Sequence, residues 1–181
     1  MAVLTMPQVF QNGMVLQRRK PICVWGQAQG AGTVSVSLAD QTALAKVENG
    51  RWKAYLPPLE ATSGQTLTID AGGASLSFTD VAIGEVWIAG GQSNMEFLLR
   101  FDAEAAEQAQ SNDADLRFFD VPKLSYHGQE LVEDHSAEGL WRKAVGSNSL
   151  WFSAVGYYFG QKLRERVNVP VGVIGCNWGG I

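Results

Sequence analysis

Near residue 81 the hydrophobic pattern of this 181-residue chain changes period. Before that point apolar side chains fall at every second position, as in TVSVSL at 33–38, QTLTID at 65–70 and SLSFT at 75–79. Such alternation gives each strand one dry and one wet face. From 81 to 89 the run VAIGEVWIA is nearly continuous, and its last part, Val86-Trp87-Ile88-Ala89, reads as a strand of a parallel sheet buried on both faces. One kind of sheet does not serve both patterns. The chain is therefore expected to divide close to Asp80 into an all-β part, 1–80, and an α/β part, 81–181.

In the first part, Asn12-Gly13, Asn49-Gly50 and Gly72-Gly73 supply the positive φ angles of tight hairpins, and Pro57-Pro58 ends the strand at 51–56. No helical period is visible, so a β-sandwich-like domain is expected. Trp25 and Trp52 lie inside strand runs and read as core; the alternative is a carbohydrate-binding module in which they stack on sugar rings.

The second part is organised around GEVWIAGGQSNMEFLL at 84–99. Gly90-Gly91 halts the apolar strand and allows close backbone approach, which lifts Gln92, Ser93 and Asn94 onto the strand's carboxyl end. Open α/β sheets carry their chemistry there, so Ser93 is the candidate nucleophile. The α/β-hydrolase elbow G-x-S-x-G is excluded, because Met95 stands where its last glycine belongs. A short surface helix is expected at 102–111 with Asp102 as its cap, then a strand at 116–121 stopped by Pro122. Residues 123–148 have no clean period, contain His127 and His135, and read as a long loop. A helix capped by Ser153 comes next, with Phe152, Val155, Phe159, Leu163 and Val167 as its apolar stripe and Gly156 and Gly160 permitting close packing. The strand Val171-Gly172-Val173-Ile174-Gly175-Cys176 then leaves through Asn177-Trp178-Gly179-Gly180, repeating the plan of strand and glycine turn.

Composition narrows the function. With 18 acidic against 14 basic residues and no basic stripe, nucleic acid is not an expected partner. No apolar run approaches the roughly 20 residues of a membrane span, and no signal peptide is visible. Cys23 and Cys176 lack C-x-x-C spacing and read as buried free thiols.

The segment Gly91-Gln92-Ser93-Asn94-Met95 resembles the first block of the SGNH hydrolases, in particular the sialate O-acetylesterase family and its acetylxylan esterase relatives. PQVFQNGMVLQR at 7–18 with PICVWG at 21–26 is similar to that family's N-terminal β-domain, and VPVGVIGCNWGG at 169–180 to its second block. The resemblance implies the first part of a flavodoxin-like (SGNH) parallel-sheet α/β domain, with Ser93 as nucleophile. It also implies an oxyanion hole built from the Ser93 N–H and an N–H of Gly179 or Gly180, the two being left open. Gln92, Asn94 and Glu96 would fix the turn or line the pocket. The family's third block and its late D-x-x-H block are missing here, since Asp134-His135 is adjacent rather than correctly spaced. The chain accordingly reads as an N-terminal portion, inactive alone, that needs a second polypeptide carrying the catalytic Asp and His. An acetylated sugar is the implied substrate, and a carboxylated one would suit an arginine such as Arg100. No metal or organic cofactor is implied, and the resemblance favours a secreted or periplasmic protein. The competing reading is a non-catalytic carbohydrate-binding or scaffold protein that keeps the fold.

Overall fold

The computed structural model describes residues 2–123 and 139–180, so His127 and His135 lie outside the described residues. The fold is mixed α/β and dominated by sheet. Contacts divide it into two compact units, Met1–Gly84 and Glu85–Ile181.

The first unit is made of β1 (Val3–Thr5), β2 (Val15–Gln17), β3 (Ile22–Gln29), β4 (Thr33–Leu38), β5 (Gln41–Lys46), β6 (Arg51–Leu56), β7 (Thr62–Asp70) and the first part of β8 (Ser75–Gly91). One sheet has the order β1-β3-β6; in a second, β5, β4, β7 and β8 are joined in antiparallel pairs, with β2 parallel to β8. Alternation drives both. Val34, Val36 and Leu38 are fully buried while Thr33 is exposed, and Trp52, Ala54 and Leu56 are buried between exposed Arg51, Lys53 and Tyr55. Asn49 and Gly50 have φ of 52° and 74°, the pair of positive angles of the tight turn across which the Glu48 and Arg51 main chains exchange hydrogen bonds as the chain passes from one sheet to the other.

The two tryptophans part company. Trp52 is core, as its strand position suggests, but Trp25 is 41% exposed. The register explains this: Trp25 pairs with Lys53 and Gly26 with Trp52, so the two indoles project from opposite faces of one sheet.

In the second unit the last part of β8 pairs in parallel with β11 (Val171–Asn177), aligning Ile88 with Ile174 and Gly91 with Asn177. On its other side β11 is parallel to β9 (Asn112–Asp120), and β9 is antiparallel to β10 (Trp141–Val145). Between β8 and β9 run α1 (Ser93–Glu96), a 3-10 turn at Leu99–Phe101 and α2 (Ala105–Gln108). After β10 come a 3-10 segment, Gly146–Trp151, and α3 (Ala154–Val167). The core joins Leu116 and Phe118 of β9, Val171 and Val173 of β11, Ala89, Leu99, Phe152 and Tyr157.

The helix α3 is the main cover of this sheet. Ser153 caps it, its Oγ accepting the Gly156 N–H at 3.0 Å, and Asn168 ends it in the left-handed region at φ 47°. Of the expected stripe, Phe152, Leu163 and Val167 pack on the core, but Val155 and Phe159 are exposed. Gly156, Tyr157 and Gly160 are buried instead. A Cβ at Gly160 would lie 3.0 Å from both Leu116 and Val173, so the absence of side chains lets the helix backbone approach the sheet and leaves Val155 and Phe159 turned outward.

Several other expectations need correction. Trp87 and Ile88 are 47% and 73% exposed, so this part of β8 is not buried on both faces: neighbouring residues of a strand point to opposite sides, and neither side chain is fully covered by the described residues. Cys176 is exposed and Cys23 only half-buried, although both are free. Of the stretch 123–148 expected as one long loop, 124–138 lies outside the described residues, and the rest contains β10, which pairs with the edge of β9, and the start of the 3-10 segment. The helix at 102–111 contracts to the four residues of α2, and Asp102 is not its cap.

Asp102 instead accepts the Glu104 N–H at 3.0 Å and the Tyr158 hydroxyl at 2.8 Å. Those bonds, the Glu104 amide first, hold its carboxyl below the ordinary aspartate range. A carboxyl with a lowered folded-state pKa adds stability above its unfolded value, about 3.9, and loses it as pH falls through the folded value. The stability difference between wild type and Asp102→Asn, read from urea unfolding, should therefore be flat near neutral pH and shrink below about pH 4.

Candidate functional site

Three parallel strands, β8, β11 and β9, end on the same side of the second unit, and the candidate site is built from the segments that leave their carboxyl ends. After β8 the chain enters α1, where Ser93 is the first residue; Gln92, Ser93 and Asn94 are all exposed. The Ser93 hydroxyl makes no hydrogen bond among the described residues.

The short α1 is held from two directions. The Phe97 carbonyl accepts the Ala154 N–H at 2.8 Å, and the Leu99 N–H reaches the Phe152 carbonyl at 2.9 Å. The Ser153 hydroxyl contacts the Met95 sulfur at 3.5 Å. Residues leading into α3 thus clamp the segment that carries the serine.

After β11, the Trp178 N–H donates to the Gly91 carbonyl at 3.1 Å, tying the second glycine turn to the first. Gly179 then sits against the serine: a Cβ on Gly179 would lie 3.2 Å from Ser93 Oγ and 3.4 Å from Ser93 Cα, and would collide with Glu96 Oε2. Gly180 differs in kind. Nothing lies within 4 Å of its Cβ position, but its φ of 82° favours glycine. One glycine is required by space and the other by backbone conformation.

Glu96 joins the parts. Its Oε2 accepts the Gly179 N–H at 2.6 Å, and its Oε1 pairs with Lys123 Nζ at 2.7 Å. Lys123, three residues beyond β9, has no forewarning in local pattern; its only signal is position, just past the carboxyl end of a parallel strand. Asn177, at the end of β11, carries a buried Nδ2 without a hydrogen-bond partner among the described residues. Arg100 stacks its guanidinium over the rings of Trp151 at 4.1 Å and Phe101 at 4.6 Å. Among the described residues no cluster of His, Cys, Asp and Glu is arranged to hold a metal, and no helix is long and apolar enough to cross a membrane.

The Glu96 contacts make a measurable difference. Glu96→Gln keeps an acceptor for the Gly179 amide and loses the ion pair, whereas Glu96→Ala loses both. Amide hydrogen exchange at Gly179 should accelerate on the order of tenfold in the alanine variant, equivalent to one lost hydrogen bond to a charged group, and much less in the glutamine variant.

The arrangement has relatives. No family model matches the chain. It is 28% identical to sialate O-acetylesterase of Rattus norvegicus over 192 residues, which cover 94% of this chain and 35% of that protein. Against the Homo sapiens sialate O-acetylesterase it is 28% identical over 196 residues, covering 94% and 36%. Among solved structures, a carbohydrate acetylesterase from Xanthomonas citri superposes with a TM-score of 0.87 at 37% identity, over 98% of this chain and 41% of that one. The chain therefore spans about a third of the length of the sialate O-acetylesterases it matches. Over nearly its whole length the chain is thus similar in sequence to sialate O-acetylesterases and in fold to a carbohydrate acetylesterase.

Proposed function

We propose that this chain carries the nucleophile half of a carbohydrate O-acetylesterase site, with Ser93 as the attacking residue. The observation that carries the reading is the packing of the Gly179 turn against Ser93 at the carboxyl ends of two adjacent parallel strands. Relatives named for acetylester cleavage on sialate and on carbohydrate support it.

In this reading Ser93 Oγ attacks the acetyl carbonyl while its proton passes to a general base, and the sugar hydroxyl leaves with a proton returned by that base. Water then cleaves the acetyl-enzyme and releases acetate. Negative charge on the carbonyl oxygen is met by preorganised N–H donors, each worth about 3 to 4 kcal/mol in other serine hydrolases. The Ser93 N–H is one donor. Because the Gly179 N–H already serves Glu96, the Gly180 N–H is the better second donor and Gly179 is the residue that brings the turn up to the serine. Glu96, with Lys123, orients that turn, while Gln92 and Asn94 line the approach.

The architecture fits a β-sandwich-like first unit followed by the opening strands of a flavodoxin-like (SGNH) domain. We propose that a second polypeptide, corresponding to the part of the relatives' length that this chain does not span, supplies the base and its aspartate. A place for that polypeptide is offered by Trp87, Ile88, Val155 and Phe159, exposed beside a stretch of β8 whose second edge, from Trp87 to Gly90, pairs with no described strand. A secreted or periplasmic setting accords with the same reading.

The test is covalent labelling by a fluorophosphonate in the presence of the complementary polypeptide. Ser93 should be modified, Ser93→Ala should not, and the chain alone should react slowly. An unlabelled Ser93 in the complete assembly sinks the proposal and favours a non-catalytic sugar-binding or scaffold protein.

A further inference from the structure

The first unit holds a cleft of about 870 Å³ whose composition differs from the rest of this acidic chain. Trp25, Gln27, Arg51 and Lys53 occupy one face of the β3–β6 pair, where Trp25 is opposite Lys53 and Gln27 opposite Arg51. Lys46 adds a third cation at the cleft wall and Glu48 the single carboxylate. None of these four charged side chains has an ion pair or side-chain hydrogen bond among the described residues.

An aromatic surface lies beside these charges. The Trp25 ring is braced by the edge of Phe10, with centroids 4.7 Å apart and planes at 78°, yet it stays 41% exposed. Trp52 borders the cleft but projects to the opposite sheet face, its ring running under Gly26, where a Cβ would come within 3.1 Å of it.

We infer that this cleft is a second saccharide site, separate from Ser93, selective for a sugar bearing a carboxylate. The indole of Trp25 offers an apolar platform for a pyranose face, with polar groups at its margin for the hydroxyls. Arg51 and Lys53, side by side on one strand face, present a forked and a point cation to a carboxylate. Local excess of cations over Glu48 supplies the preference over neutral sugars, and salt should weaken it. Choice of a saccharide among small anions rests on the proposed carbohydrate function, but binding here does not depend on Ser93 chemistry.

The experiment is titration of the whole chain with N-acetylneuraminic acid, followed through the indole Nε1–H resonances, with Trp25→Phe used to assign Trp25. The expected result is movement of the Trp25 indole signals, with affinity reduced on the order of tenfold in an Arg51→Ala, Lys53→Ala double variant whose remaining spectrum is unchanged. N-acetylmannosamine, which lacks the carboxylate, should move them far less. No movement, equal response to the neutral sugar, equal response to inorganic phosphate, or undiminished affinity in the double variant would each overturn the inference. A failure here with Ser93 still labelled by fluorophosphonate removes only the second site; binding with Ser93 unreactive removes only the esterase.

Discussion

Gly179→Ala, in the assembly proposed above, should slow fluorophosphonate labelling of Ser93 by about 10²-fold or more. The added methyl meets Glu96 Oε2 head-on and lies 3.2 Å from Ser93 Oγ, so the turn must swing away from the serine and break its 2.6 Å bond to Glu96. A displacement near ~1 Å is enough to lose that factor, because oxyanion donors act only within hydrogen-bond reach of the developing charge. Gly180→Ala provides the contrast. It meets no atom within 4 Å but forces a side chain onto φ 82°, a conformational cost of about 1 to 2 kcal/mol that should lower the thermal midpoint as well as the labelling rate. If Gly179→Ala labels at the wild-type rate, the glycine turn has no part in the chemistry.

The second large effect is structural. Phe152→Ala should destabilise the second unit by about 3 to 5 kcal/mol, measured by urea unfolding with near-UV circular dichroism. Phe152 is almost fully buried and its ring centroid lies 4.5 Å from that of Phe118. Two glycines make room for it: a Cβ on Gly156 would fall 2.8 Å from the ring and one on Gly175 3.0 Å. A void surrounded by close-packed backbone collapses poorly, so the upper part of that range is expected. Against a typical domain stability of about 5 to 15 kcal/mol the loss is large. It should reach the site, since the Phe152 carbonyl holds the Leu99 amide just beyond the serine helix. Phe152→Leu, which refills most of the space, should recover much of the stability.

Both effects turn on glycines whose meaning local sequence leaves open. The pair Gly179-Gly180 marks a turn in any reading, yet choosing between them needed the position of Ser93, which is 86 residues away in the chain. Likewise Gly156 and Gly160 announce close approach, but the usual rule of large apolar residues every three or four positions selects Val155 and Phe159, along with Phe152, Leu163 and Val167, as the buried face of α3. That rule fails at Val155 and Phe159 because a helix seated on its glycines brings backbone, rather than those side chains, against the sheet. Lys123 was illegible for a related reason: an ion pair with Glu96 depends on β9 and β8 ending on the same side of one sheet, and no periodicity encodes it.

The residues alone determined whatever repeats locally or is chemically singular. Alternation set the strands of the first unit, with β4 and β6 falling at 33–38 and 51–56 as expected; Ser153 marked the start of α3; and Gly-Gly-Gln-Ser-Asn-Met marked the serine. Tertiary structure decided which face of each element is covered: Trp52 inward and Trp25 outward, Trp87 and Ile88 left exposed, Cys176 at the surface. It also gave the Gly179 amide to Glu96. The physical reason is common to all of these. Propensity and period act between residues a few positions apart, whereas burial and hydrogen-bond partnership depend on strand order and register, which bring distant segments together only once the sheet is built.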